Sequence, residues 1–223
     1  MAGYKIISET REIRDVTRVI LKDYGQLIIK QGDTEQLIVE GQDQVISQVK
    51  TQVRQGELLL DIEGGWFDKT WKAFTSVVEG NSLTYTLTIK NLDGIFVSGA
   101  ARVKCNKLIF NNLKLTLKGA GEIIFNNIQG GRLDVELPGA GIISLAGKIV
   151  EQTVKLSGAG SYDAPRLESQ ICRASLQGVG RATVWATKQL DAKVEGVGSI
   201  DYFGSPDVRK SVSGLGKIHQ RKY

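Results

Sequence analysis

Seven near-copies of one short turn recur along the second part of the chain: VSGAAR at 97–102, LKGAGE at 117–122, LPGAGI at 137–142, LSGAGS at 156–161, LQGVGR at 176–181, VEGVGS at 194–199 and VSGLGK at 212–217. Their first glycines, Gly99, Gly119, Gly139, Gly158, Gly178, Gly196 and Gly214, are 20, 20, 19, 20, 18 and 18 residues apart. A period near twenty marks a solenoid, in which each coil buries its apolar face only by stacking on its neighbours.

Aligned on the turn, the columns read as strands. Two residues before the first glycine stand Val97, Leu117, Leu137, Leu156, Leu176, Val194 and Val212, and two further back Ile95, Leu115, Val135, Val154, Ala174, Ala192 and Lys210. This alternation points every second side chain inward. Beyond the turn a second strand begins, with Val103, Ile123, Ile143, Tyr162, Ala182, Ile200 and Ile218 in one column. The first glycines, together with Gly121, Gly141, Gly160, Gly180, Gly198 and Gly216, read as structural corners that need positive φ or close backbone approach, with no ligand required. Between the glycines lie Ala100, Ala120, Ala140, Ala159, Val179, Val197 and Leu215, expected to face the inside of a tight corner. The predicted fold is all-β: a right-handed parallel β-helix (β-solenoid) with Gly-x-Gly turns every 18–20 residues, plus a short helical insertion.

The whole chain, 4–223, reads as a single β-solenoid domain. Its N-terminal part, 4–63, carries the strand-like runs TRVILKD, GQLIIKQG, EQLIVEG, VISQVKTQV and ELLLDIE without the glycine register, and is expected to share sheets with the repeats at 83–223. Between them, residues 64–82 (GWFDKTWKAFTSVVEGNS and its leading Gly64) place Phe67, Trp71, Phe74 and Val78 at helical spacing. A short amphipathic helix there would cap a solenoid end, or present Trp66, Phe67, Trp71 and Phe74 as an interaction patch.

Composition narrows the function. Hydrophobic residues at 41% suffice for a core without metal or disulfide staples, and Gly at 26 of 223 with only 3 Pro fits many tight turns. The net charge of +5 is spread among interspersed acids and bases, unlike the basic stripe with aromatics of a nucleic-acid reader, so no nucleic-acid partner is expected. The clearest basic cluster, Arg209, Lys210, Lys217, Arg221 and Lys222, reads as a solvated end cap. No stretch approaches the roughly 20 apolar residues of a membrane span. The opening MAGYKIISETREIR lacks the apolar core of a signal peptide, so any envelope address is expected to belong to a precursor segment outside this chain.

LDAKVEGVGSIDYFGSPDVRKSVSGLGKI at 190–218 and LTYTLTIKNLDGIFVSGAARV at 83–103 resemble the closing and opening patterns of the head GIN domain family, a bacterial domain described as an adhesin head, and QLIIKQGDTEQLIVEG extends the likeness toward the N-terminus. The resemblance covers about residues 15–218 apart from 64–82. It implies a right-handed β-helix in the cell envelope or outside the cell, and carries no catalytic residue.

The search for chemistry gives little. Polysaccharide lyases and hydrolases on β-helices need clustered carboxylates, but the column after the second glycine reads Glu122, Ile142, Ser161, Arg181, Ser199, Lys217, and Thr183 separates Asp163 from Asp201. No turn completes a phosphate-binding glycine motif, and His219 has no acid or nucleophile at a recognisable spacing. Cys105 and Cys172 fall in core columns more than three coils apart, too far for a disulfide. No catalytic residue, metal or cofactor is expected. The expected function is a non-catalytic surface or secreted scaffold of adhesion type, self-assembling or binding cell-wall glycan or a surface protein. The alternatives are a polysaccharide-active lyase or hydrolase and a sensory or regulatory ectodomain.

Overall fold

The computed structural model describes residues 5–63 and 83–222. The chain runs through β1 (Ile6–Arg11), β2 (Arg18–Leu21), β3 (Gly25–Gln31), β4 (Gln36–Gln42), the single helical turn α1 (Asp43–Ile46), β5 (Val49–Arg54) and β6 (Glu57–Ile62). It continues through β7 (Thr84–Ile89), β8 (Gly94–Val97), β9 (Ala100–Cys105) and β10 (Leu108–Leu117). Then come four elements each almost a coil long, β11 (Ala120–Leu137), β12 (Ala140–Leu156), β13 (Ala159–Leu176) and β14 (Val179–Val194), followed by β15 (Val197–Phe203), β16 (Asp207–Val212) and β17 (Leu215–Gln220). Together they form a β-solenoid of about six turns.

Parallel registry stacks like on like. Leu137, Leu156, Leu176, Val194 and Val212 pair in succession before the corner, and Ile123, Ile143, Tyr162, Ala182, Ile200 and Ile218 after it. In β11 alone, Ile123, Phe125, Ile128, Leu133, Val135 and Leu137 are all buried. No coil could hide these side chains by itself, so neighbouring coils hold one another.

The N-terminal strands do share sheets with the repeats, in an order the sequence does not announce. β2 lies between β6 and β8, and β3 between β7 and β9, so the first coil in sequence is sandwiched between two later ones. The outermost parallel coil, β6 with β7, is then closed by antiparallel strands: β5 on β6, and β4 followed by β1 on β7. VISQVKTQV, read above as one strand, is divided: its start belongs to α1, which buries Ile46 completely, and its strand begins at Val49. Arg11 pins this cap by donating from Nη1 to the Val49 carbonyl at 2.7 Å and from Nη2 to the Ile46 carbonyl at 3.3 Å.

Candidate functional site

Trp66, Phe67, Trp71 and Phe74 lie outside the described residues, as does the expected helix at 64–82. The flanks of that segment are described. The Ile62 amide donates to Asp23 Oδ2 at 2.7 Å and the Leu83 carbonyl accepts from the Gln26 amide at 2.8 Å, so both flanks are held by the β2–β3 coil. The insertion therefore stands in the chain between β6 and β7, where later coils have a Gly-x-Gly corner.

At those corners the demand for glycine is mainly one of space. A Cβ on Gly119 would stand 2.0 Å from the Gly99 carbonyl oxygen, which belongs to the coil beneath. Gly198 adds a φ of +144° to a 1.8 Å approach to the Gly180 carbonyl oxygen. The residues between the glycines do not face the inside, contrary to the sequence expectation. Val179 is 58%, Val197 47% and Leu215 81% exposed. With the glycine backbone packed against the coil below, the intervening side chain can only turn outward, and the column forms an apolar ridge along the outer corner that grows bulkier toward the C-terminal end.

That end differs from the capped one. Among the described residues β16 and β17 have strand partners on one side only, β14 and β15 respectively, as β1 and β5 do at the other end; the difference lies in what the inward face exposes. Val212 is half-exposed, and the inward column that runs through Val154, Ala174 and Ala192 finishes in Lys210, whose ammonium sits 4.9 Å from the centre of the Tyr202 ring. Residues 207–222 carry five Lys and Arg against one Asp.

Beside this end, on the lateral face, a hollow of about 570 Å³ is lined by Arg181, Ser199, Asp201, Lys217, His219 and Arg221 among others. Registry builds it: Arg181, Ser199 and Lys217 are successive cross-strand partners, as are Asp163, Thr183, Asp201 and His219. The Asp201 side chain is only 6% exposed, with Arg221 Nε at 3.0 Å from Oδ1 and Arg181 Nε at 3.8 Å from Oδ2. Arg181 Nε also donates to Ser199 Oγ at 3.3 Å. His219 is exposed, directly across the ladder from Asp201.

Elsewhere the polar residues serve structure. Glu122, the one acid of its column, is held by Arg102 Nε at 2.8 Å. Among the described residues no three His, Cys, Asp or Glu side chains gather where they could hold a metal ion. No helix among them is long and apolar enough to cross a membrane. Column reading missed a buried polar chain: Tyr162 Oη donates to Gln152 Oε1 at 2.8 Å, Gln152 Nε2 donates to Ser169 Oγ at 2.8 Å, and Ser169 Oγ donates to the Trp185 carbonyl at 2.7 Å. Its sequence signal was Gln152 itself, a lone amide in the column of Leu113, Leu133, Cys172 and Leu190. Both cysteines are buried and free. Burial pushes the Cys105 thiol up to about 11 and that of Cys172 higher still, which suits core residues rather than nucleophiles.

A stacked parallel coil with glycine corners, a closed end and an open one defines a repeat-built β-solenoid domain. Within that class the chain belongs to the head GIN domain family, whose model, described as "Putative auto-transporter adhesin, head GIN domain", matches residues 15–206. Among solved structures it is similar to a putative adhesin from Bacteroides fragilis, with 27% identity over 98% of each chain and a TM-score of 0.88. Two further structures share the fold: a putative lipid binding protein from Parabacteroides distasonis (19% identity, 97% of each chain, TM-score 0.73) and a putative adhesin from Parabacteroides merdae (18% identity, 98% of this chain and 97% of that one, TM-score 0.68). No curated protein matches the chain.

Proposed function

We propose that this chain is a non-catalytic adhesion-type domain that works at the cell surface or outside the cell, and that copies associate through its open C-terminal end. The observation that carries this reading is the inequality of the two ends. Unpaired strand edges are a standing template for association, and folds that must stay apart cover them. Among the described residues β1 and β5 at the other end also pair on one side only, but there the inward Leu58, Leu60, Tyr85 and Leu87 are fully buried, whereas β16 and β17 leave Val212 and Leu215 exposed beside their free edges.

Charge favours a head-to-tail arrangement. Residues 5–63, which supply the closed end, carry eight Lys and Arg against eleven Asp and Glu, whereas the open end is basic. Two open ends facing each other would repel; a closed end meeting an open one would not. Family membership and the likeness to the Bacteroides fragilis protein support adhesion as the purpose of the assembly. The test is capture of the soluble chain on surfaces coated with cell-wall glycan or with the chain itself. Retention on either, lost on Val212→Lys/Leu215→Lys substitution at unchanged melting temperature, supports the reading, and no retention on either contradicts it.

A further inference from the structure

The lateral hollow around Asp201 contains more positive charge than the protein uses. Arg181 and Arg221 converge on the Asp201 carboxylate, and Lys217 lines the same hollow. Each guanidinium spends only its Nε–H there or on Ser199, so the terminal nitrogens of both, out of five donors in each planar fork, have no partner among the described residues. Lys217 forms no hydrogen bond or ion pair among them.

The arrangement is held, not merely exposed. The Arg221 amide extends the ladder by donating to the Tyr202 carbonyl at 2.8 Å, and Gln220 Nε2 donates to the Gly204 carbonyl at 2.8 Å, so the chain beyond β17 is tied down. Asp201, almost fully buried, fixes the two guanidinium planes from beneath. Some lateral cations elsewhere are matched, Arg102 by Glu122, Lys114 by Glu136 and Lys148 by Glu168, and others such as Lys104 and Lys107 stand without an ion pair among the described residues, but none of those unmatched cations is oriented by a buried carboxylate as Arg181 and Arg221 are. Two forks oriented by a common carboxylate, with a lysine beside them, present donors in the pattern that planar oxyanions accept in pairs.

We propose that this hollow binds the oxyanion group, carboxylate or sulfate, of an acidic saccharide. The ridge residues Val179, Val197 and Leu215 stand two positions before Arg181, Ser199 and Lys217 on the same strands and so on the same side of the sheet. They offer apolar area to the C–H face of a sugar whose acid group enters the hollow. Glycines at 198, 214 and 216 keep the floor open. The inference rests on the adhesion reading in that it names the chemistry of the glycan.

The experiment is calorimetric titration of the full chain at low salt with polygalacturonate, dextran sulfate, neutral dextran, inorganic sulfate, and vesicles of phosphatidylglycerol with phosphatidylcholine. Saturable binding of polygalacturonate or dextran sulfate, none of neutral dextran, and weakening by added salt are expected. The two polymers distinguish carboxylate from sulfate. Arg181→Ala, at a side chain 65% exposed and with Arg221 still on Asp201, should weaken binding at least tenfold at unchanged melting temperature, Lys217→Ala about threefold, and Lys104→Ala/Lys107→Ala, at the far end of the repeats, not at all, the order expected for removing one charge-assisted contact. The proposal is overturned if neither polymer binds, if the distant pair weakens binding as much as Arg181→Ala, or if only vesicles bind. Retention on neutral glycan or self-association would then leave the adhesion reading standing without it.

Discussion

The side-chain amide of Gln31 pairs with both main-chain groups of Ile109, donating to its carbonyl at 2.9 Å and accepting from its amide at 2.8 Å. It also donates to the Lys90 carbonyl at 3.0 Å. Among the described residues the segment Leu108–Phe110 pairs with β11 on one side only, and on the other side the Gln31 amide supplies a rung in place of a strand. Replacing Gln31 with Ala should cost about 1–2 kcal/mol for hydrogen bonds lost at a partly exposed edge. Hydrogen exchange should then speed up at the Ile109 amide while β11 remains protected.

Two buried tyrosines should respond in opposite ways to loss of their hydroxyls. Tyr162 Oη is satisfied by Gln152, so Tyr162→Phe leaves an amide oxygen short of a partner in the core and should cost about 1–3 kcal/mol. Tyr85 Oη is buried with no hydrogen-bond partner among the described residues. Tyr85→Phe should therefore be neutral or stabilising by up to about 1 kcal/mol. Denaturant unfolding of the two variants beside the parent checks both signs.

Corner positions one residue apart should differ sharply. A Cβ on Gly139 would stand 2.2 Å from the Lys118 carbonyl oxygen, so Gly139→Ala must push two coils apart and should cost at least about 2 kcal/mol. Ala140 faces outward, and the same column holds Leu215 without strain, so Ala140→Leu should change stability by less than about 0.5 kcal/mol. Thermal melts of both variants give the comparison.

Alkaline pH should destabilise the fold from within. Burial raises Cys105 from an ordinary 9.0 to about 11, and raises Cys172, Tyr85 and Tyr162 in the same direction. A raised group keeps its proton in the folded chain while the unfolded chain releases it. The stability it confers is thus complete below the unfolded value and lost as pH rises toward the folded one. Melting temperature should be level up to about pH 8 and fall above 9, and Cys105→Ala/Cys172→Ala should make the fall shallower.

The repeat was legible because its cause is periodic: each inward leucine or valine must meet its counterpart one coil away, so Leu137, Leu156 and Leu176 align in sequence as they do in space. The intercalation of β2 and β3 between later coils was not legible, since pairing such as Leu21 with both Leu60 and Val97 leaves no local mark. The outward turn of Ala140 and Leu215 was misread because an apolar residue between two glycines looks like core. Of the lateral hollow, the sequence columns offered Arg181, Ser199 and Lys217 in one row and Asp201 in another, but not the closure of Arg181 and Arg221 on the Asp201 carboxylate. That closure depends on side chains of neighbouring columns bending toward each other and on Arg221 continuing the ladder beside Tyr202, neither of which leaves a mark in the repeat.

The most direct test of the account is sedimentation equilibrium of the full chain across a hundredfold range of concentration, beside Val212→Lys/Leu215→Lys. The open-end account predicts a mass that rises with concentration for the parent, and a monomer with unchanged circular dichroism and melting temperature for the variant. A parent that stays monomeric throughout, or a variant that associates equally well, contradicts it.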